Sequence, residues 1–154
     1  MTKTSDNVPC AFSKGATDKA IAVGYVDGIP AAQVGSKMKV MIAEDTDSVR
    51  FALRLVMEYL GHEVVGIASD GQEALETYAH VHPEVVLMDV RMPRMDGLTC
   101  TSLLAKQDPN AKVVILTGGR TSEHEAMEAG ARGFVEKPFE IDQLDQLIHS
   151  LAAA

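Results

Sequence analysis

Five side chains able to do charge chemistry stand where apolar runs end. Glu44 and Asp45 follow KVMIA (39–43), and Asp89 closes EVVLMD (84–89). Thr117 closes AKVVILT (111–117), and Lys137 follows RGFVE (132–136). Taken singly, each has an ordinary explanation: an acid there solvates or caps a helix, and a Thr or Lys sits in a turn or on the surface. Taken together they do not. Two carboxylates about 4 Å apart repel by about 4 kcal/mol at an effective dielectric near 20, so gathering three acids requires a cation. A set of oxygen donors suits Mg²⁺, which takes one or two carboxylates and a phosphate oxygen and keeps its remaining waters. The metal and Lys137 would neutralise the three carboxylates, and would still nearly balance them after Asp89 gained a dianionic phosphoryl group. Thr117 can donate a hydrogen bond to a phosphoryl oxygen. The chemistry is phosphoryl transfer onto a carboxylate by positioning and charge neutralisation.

The elements that must bring these residues together alternate regularly from Lys37 onward. KVMIA, HEVVGIA (62–68), EVVLMD, AKVVILT and RGFVE read as five strands, with Val, Ile, Leu and Met in nearly continuous runs. Such runs are buried on both faces, as in a parallel sheet. Five helices alternate with them. The first carries Val49, Leu53, Val56 and Leu60 at helical spacing, with Asp47 or Ser48 as its cap and Gly61 at its end. The second starts at Asp70 and Glu73, which resemble a capping box, and the fourth at Ser122 and Glu125. The third is DGLTCTSLLAKQ (96–107), and the last places Ile141, Leu144, Ile148 and Leu151 on one face. The expected fold class is α/β: a five-stranded, doubly wound parallel sheet with helices on both faces, flavodoxin-like, (βα)5. Such sheets put their sites beyond the carboxyl ends of the strands.

Composition excludes several classes. The chain has 154 residues and a net charge of −8. Residues 1–36 are neutral, Lys3, Lys14 and Lys19 offsetting Asp6, Asp18 and Asp27, so the whole excess falls on residues 37–154. An acidic surface argues against nucleic acid and for protein partners. No apolar run approaches the roughly 18 residues of a membrane span, and the N-terminus lacks a secretory h-region. Cys10 and Cys100 make no disulfide framework, which suits a cytoplasmic protein. Residues 1–36 read as a leader, tag or fusion segment, in which KAIAVGYV (19–26) could form a strand; residues 37–154 form the domain. The five histidines are scattered, without metal-ligand company, and most of the methionines read as core or loop filler.

Glu44-Asp45, MDVRMPRMDG (88–97), VVILTG (113–118) and GFVEKPF (133–139), in this order and spacing, resemble the receiver domain of bacterial two-component response regulators. The resemblance covers about residues 37–153. It implies that Asp89 accepts a phosphoryl group from a phosphohistidine on a sensor histidine kinase or phosphotransfer protein. It implies Mg²⁺ bound by Asp45, Asp89 and the backbone carbonyl of Arg91, with Glu44 acting mainly through water. Lys137 and Thr117 would bind the phosphoryl oxygens, and the bond before Pro138 would be cis. Thr117 and Phe134 would form a switch pair altering a surface made by residues 121–152, which a downstream protein reads. Such a domain catalyses only its own phosphorylation and dephosphorylation. It is either a stand-alone receiver, as in chemotaxis, or part of a larger regulator. Two positions depart from common patterns. Glu44 stands where Asp is frequent. Gly119 offers no side chain to an attacking water whose path Arg91 also flanks.

Three rivals remain. Asp45-Thr46-Asp47-Ser48-Val49 is similar to the first motif of haloacid-dehalogenase-type phosphatases, with Asp45 as nucleophile and Asp47 as general acid; their late acidic pair after an apolar strand is missing. A receiver fold could instead dock partners without taking phosphate, although every required side chain is retained. A flavin site would want a hydroxyl- and glycine-rich loop where EDTDSVR stands.

Overall fold

In the computed structural model, Tyr25–Val26, Ile29–Pro30 and residues 37–153 are described. The chain divides into two units, residues 1–36 and residues 37–154. In the first, β1 (Tyr25–Val26) pairs antiparallel with β2 (Ile29–Pro30). Most of the expected leader, including residues 19–24 of the proposed strand, lies outside the described residues.

The second unit runs β3 (Lys39–Ala43), α1 (Asp47–Tyr59), β4 (Glu63–Ala68), α2 (Gly71–Val81), β5 (Val85–Asp89), α3 (Gly97–Gln107), β6 (Val113–Thr117), α4 (Glu123–Glu128), β7 (Gly133–Glu136) and α5 (Ile141–Ala153). The strands form one parallel sheet in the order β4-β3-β5-β6-β7. This is the doubly wound architecture expected from the alternation of runs. β5 and β6 are buried at every position, as strands covered on both faces must be.

Alternation along each strand sorts the core into two halves. Val40, Ile42, Leu87 and Leu116 pack with Leu53 and Met57 of α1 and Leu144 and Ile148 of α5. Met41, Met88 and Ile115 pack on the other side, with Ala74 of α2, Leu104 of α3 and Ala126 of α4. The chain leaves β3 toward β4, then returns across β3 to begin β5. The loops after β3 and β5 therefore diverge, and a crevice opens between them at the carboxyl edge.

The helix ends differ from expectation at α1 and α2 and agree with it at α4. The cap of α1 is Thr46, and no side chain there accepts a hydrogen bond; Asp47 is the first helical residue instead. At α2, Asp70 accepts from the Glu73 N–H, but Glu73 Oε1 turns to Ser69 N–H and Oγ, so only half of the box exists. α4 is a short helix of 6 residues, opened by the complete Ser122–Glu125 box. Gly61 and Gly130 stand just beyond α1 and α4 at φ 91° and 107°, a region that costs glycine little.

Candidate functional site

β3 and β5 are neighbours, with Ala43 opposite Met88, so the residues following each are delivered side by side at the crevice. Glu44, Asp45 and Asp89 each offer one carboxylate oxygen, all within 4.8 Å of one another. Glu44 is 2% exposed and Asp89 9%, whereas Asp45 is open to solvent. The Arg50 guanidinium donates to the Glu44 carbonyl at 2.7 Å and fastens this strand end to α1.

Lys137 reaches the cluster from beyond β7. Its N–H donates to the Thr117 carbonyl at 2.7 Å, which continues the β6–β7 ladder past its last paired residues. Its Nζ then donates to Glu44 Oε1 at 3.1 Å and Asp89 Oδ1 at 3.3 Å. The Lys137–Pro138 bond is cis. One ammonium thus serves two buried carboxylates from different strands.

The electrostatics follow from this crowding. Burial pushes the Asp89 carboxyl above its ordinary value, against the opposing pull of Lys137. Burial does the same to Glu44, against its hydrogen bonds from Lys137 and the Thr46 N–H. Burial alone would depress Lys137, but the Glu44 hydrogen bond and the Asp89 charge outweigh it and hold the ammonium above its usual range. One cation does not balance three acids, and the donors are all hard oxygens. The arrangement fits a hard divalent cation of the Mg²⁺ kind. Both Glu44 oxygens already accept protein hydrogen bonds, from Lys137 and from the Thr46 N–H at 3.2 Å. Asp45 and Asp89 are therefore the more available direct donors.

The remaining sequence-derived candidates lie nearby with less engagement. Thr117 is buried, one residue beyond the partner of Asp89 on β6, and its Oγ1 accepts from the Gly119 N–H at 3.3 Å. Phe134 pairs in register with Ile115 on the face that Thr117 shares, and it packs half-buried against the core there. Arg91 is exposed in the loop after Asp89. Asp47 stays outside the cluster, with its 91% exposed side chain paired to Arg50.

One expectation is corrected. The histidines are not all without ligand-like company: His62, Asp145 and His149 gather at the opposite, amino-terminal end of the strands. Asp145 Oδ1 lies 3.2 Å from His62 Nε2 and 3.3 Å from His149 Nδ1. The Met38 N–H donates to His62 Nδ1 at 3.2 Å, which leaves the ring proton of neutral His62 on Nε2, pointing at Asp145. A metal-bound histidine donates its other ring nitrogen instead, so the cluster fits a buried hydrogen-bonded tie between the sheet and α5. Helical spacing alone would join Asp145 and His149, but nothing local announces His62, 83 positions away.

Comparison with known proteins gives a consistent result. A family model described as the response regulator receiver domain matches residues 40–149. The chemotaxis protein CheY of Thermotoga maritima is 34% identical over 116 residues, 74% of this chain and 97% of that protein. The transcriptional regulatory protein PdtaR of Mycobacterium tuberculosis is 41% identical over 108 residues, 69% of this chain and 52% of that longer protein. The crystal structure of the CheX-CheY-BeF3-Mg+2 complex from Borrelia burgdorferi aligns with a TM-score of 0.71 at 27% identity, over 81% of this chain and 91% of that one. Among the described residues, no helix is long and apolar enough to cross a membrane.

Proposed function

This chain belongs to the response regulator receiver domain family of two-component signalling, and from that membership we propose that it is a phosphoacceptor switch with Asp89 as the acceptor. The observation that carries the proposal is the contact of Lys137 Nζ with both Asp89 and Glu44 at the switch point of the sheet. A buried carboxylate held between an acid pair and an ammonium is ready to receive a charged group.

The donor is a phosphohistidine on a sensor histidine kinase or phosphotransfer protein. An Asp89 carboxylate oxygen attacks phosphorus; the new P–O bond forms as the P–N bond to imidazole breaks, and the imidazole leaves to take up a proton. Asp45, Asp89 and the Arg91 carbonyl would hold Mg²⁺, with Glu44 acting through water. When bound, the metal neutralises the carboxylates and the oxygens of the transferred group. Lys137 exchanges its present carboxylate contacts for a phosphoryl oxygen. Thr117 gives up the Gly119 N–H and donates its hydroxyl to another. Phe134 follows into the space vacated beside Thr117, and the surface formed by residues 121–152 changes for a downstream protein partner.

The protein turns over only its own phosphoryl group, in the cytoplasm, and is not an enzyme acting on a separate substrate. Capture of a phosphoryl group from a small phosphodonor with Mg²⁺ tests this reading, with Asp89→Asn as the control. The phosphatase alternative would modify Asp45 instead, and a phosphate-independent docking module would not be modified at all.

A further inference from the structure

The loop between β5 and α3, residues 90–96, carries the Arg91 carbonyl, and its two ends are fixed differently from its tip. At the base, the Gly97 N–H donates to the Val90 carbonyl at 2.7 Å. A Cβ on Gly97 would lie 2.0 Å from the Asp89 carbonyl oxygen, so α3 starts directly against the acceptor's backbone. At the tip, the Met95 N–H donates to the Pro93 carbonyl at 2.7 Å, an i to i+2 bond around Arg94 at φ 67°. This is a γ-turn of the rare, strained hand, and its central residue is not glycine.

The tip persists because α2 holds it. Arg94 Nη2 and Nε donate to Asp70 Oδ2 at 2.6 and 3.2 Å. The other Asp70 oxygen accepts the Glu73 N–H at 2.8 Å, so one buried carboxylate both caps α2 and grips the loop. That amide first, and then Arg94, hold the Asp70 carboxyl below its usual range, which keeps it ionised for the pair. The Gly71 N–H adds a bond to the Met95 carbonyl at 3.1 Å, and a Cβ on Gly71 would lie 2.3 Å from that oxygen. Arg91 therefore stands in a short span between a base fixed to the acceptor strand and a tip fixed to α2.

We infer that Asp70 and Arg94 are positioning residues for the phosphoacceptor loop, setting the Arg91 carbonyl relative to Asp89 and thereby the affinity of the site for a divalent cation. The inference rests on the phosphoacceptor reading above. Neither residue touches the acid cluster; both act through the loop.

Two substitutions separate this role from simple stability. Asp70→Asn keeps a good helix cap and removes the charge. Arg94→Gly removes the guanidinium while accepting the positive φ. In the full chain, calorimetric titration with Mg²⁺ alone should show affinity about tenfold weaker in each variant, as for loss of other groups that orient metal ligands. Amide exchange at Arg91, Met92 and Met95 should quicken in metal-free protein. The phosphorylation rate at saturating Mg²⁺ should stay near wild type, and the melting temperature should fall only modestly, by the loss of the Asp70–Arg94 pair. Wild-type binding with unchanged affinity and exchange in both variants overturns this inference alone. Loss of melting temperature and saturating rate without a change in affinity also overturns it, since the pair would then serve the fold. A wild type that binds no Mg²⁺ and takes no phosphoryl group overturns the underlying reading as well.

Discussion

Lys137 Nζ stands 3.3 Å from Asp89 Oδ1, although the two residues are 48 positions apart and belong to strand ends separated by β6. The same nitrogen meets Glu44 at 3.1 Å. Removing it in Lys137→Ala leaves two buried acids facing each other without their shared donor. The expected cost is about 2 kcal/mol of stability in metal-free protein, the scale of a lost hydrogen bond to a charged group. Mg²⁺ should recover part of that loss. Chemical denaturation with chelator and with Mg²⁺ measures both quantities.

The pH dependence has a definite sign. Burial first, and a neighbouring acid as well, Asp89 beside Glu44 and Asp45 beside Asp89, hold Glu44 and Asp89 above their ordinary values of 4.5 and 3.8. The folded protein therefore binds these protons more tightly than the unfolded chain. Their stabilising contribution is complete below the ordinary values and is lost as pH rises through the raised ones. Asp70 is shifted downward, and so is Asp108, whose carboxylate at the end of α3 accepts the Tyr78 hydroxyl at 2.7 Å, so their contributions disappear only as pH falls below about 4. In chelator, the melting temperature of Asp89→Asn should exceed that of wild type at neutral pH, with the gap narrowing as pH falls toward 4. Saturating Mg²⁺ should close or reverse it, since ligand bound to the folded state stabilises it.

Gly97 gives a steric prediction. Its missing Cβ would meet the Asp89 carbonyl oxygen at 2.0 Å, backbone that has nowhere to go. Gly97→Ala should cost about 3 kcal/mol, at the upper end for overpacking, and should lower the initial phosphorylation rate by displacing the acceptor. Gly118, where an added Cβ would meet nothing within 4 Å, is the control: Gly118→Ala should change stability little. Denaturation curves of the two variants decide it.

Switching can be separated from acceptance. In the present state the Thr117 hydroxyl is engaged by the Gly119 N–H rather than by Asp89 or Lys137. Thr117→Val should accept a phosphoryl group on Asp89 while losing the accompanying change across residues 121–152. Amide chemical shifts before and after phosphorylation measure this. An unchanged response in Thr117→Val would remove Thr117 from the switch.

Much of the fold was legible because it rests on local signals. Unbroken apolar strands such as VVLMD and VVILT state burial on both faces, and the alternation with helices states the parallel crossovers. The strand-end acids and Lys137 were legible as a group because a doubly wound sheet brings carboxyl ends to one edge. Contacts set by tertiary packing were not. Glu73 turned from Asp70 to Ser69, and Thr46 displaced Asp47 as the cap, through choices among nearby donors that sequence leaves equal. His62 met Asp145 and His149 because α5 lies against the turn that joins α1 to β4, a contact between positions 83 apart. The grip of Asp70 on Arg94 depended on a positive φ in a loop whose text, PRMD, looks like an ordinary turn.

The most direct test of the central claim is chemical. The full chain is incubated with a small phosphodonor and Mg²⁺, the acyl phosphate is trapped with borohydride, and the modified residue is mapped by mass spectrometry. The expected result is modification at Asp89, absent in Asp89→Asn and absent with excess chelator. Modification at Asp45, or none at all in a folded protein supplied with Mg²⁺, would contradict the account.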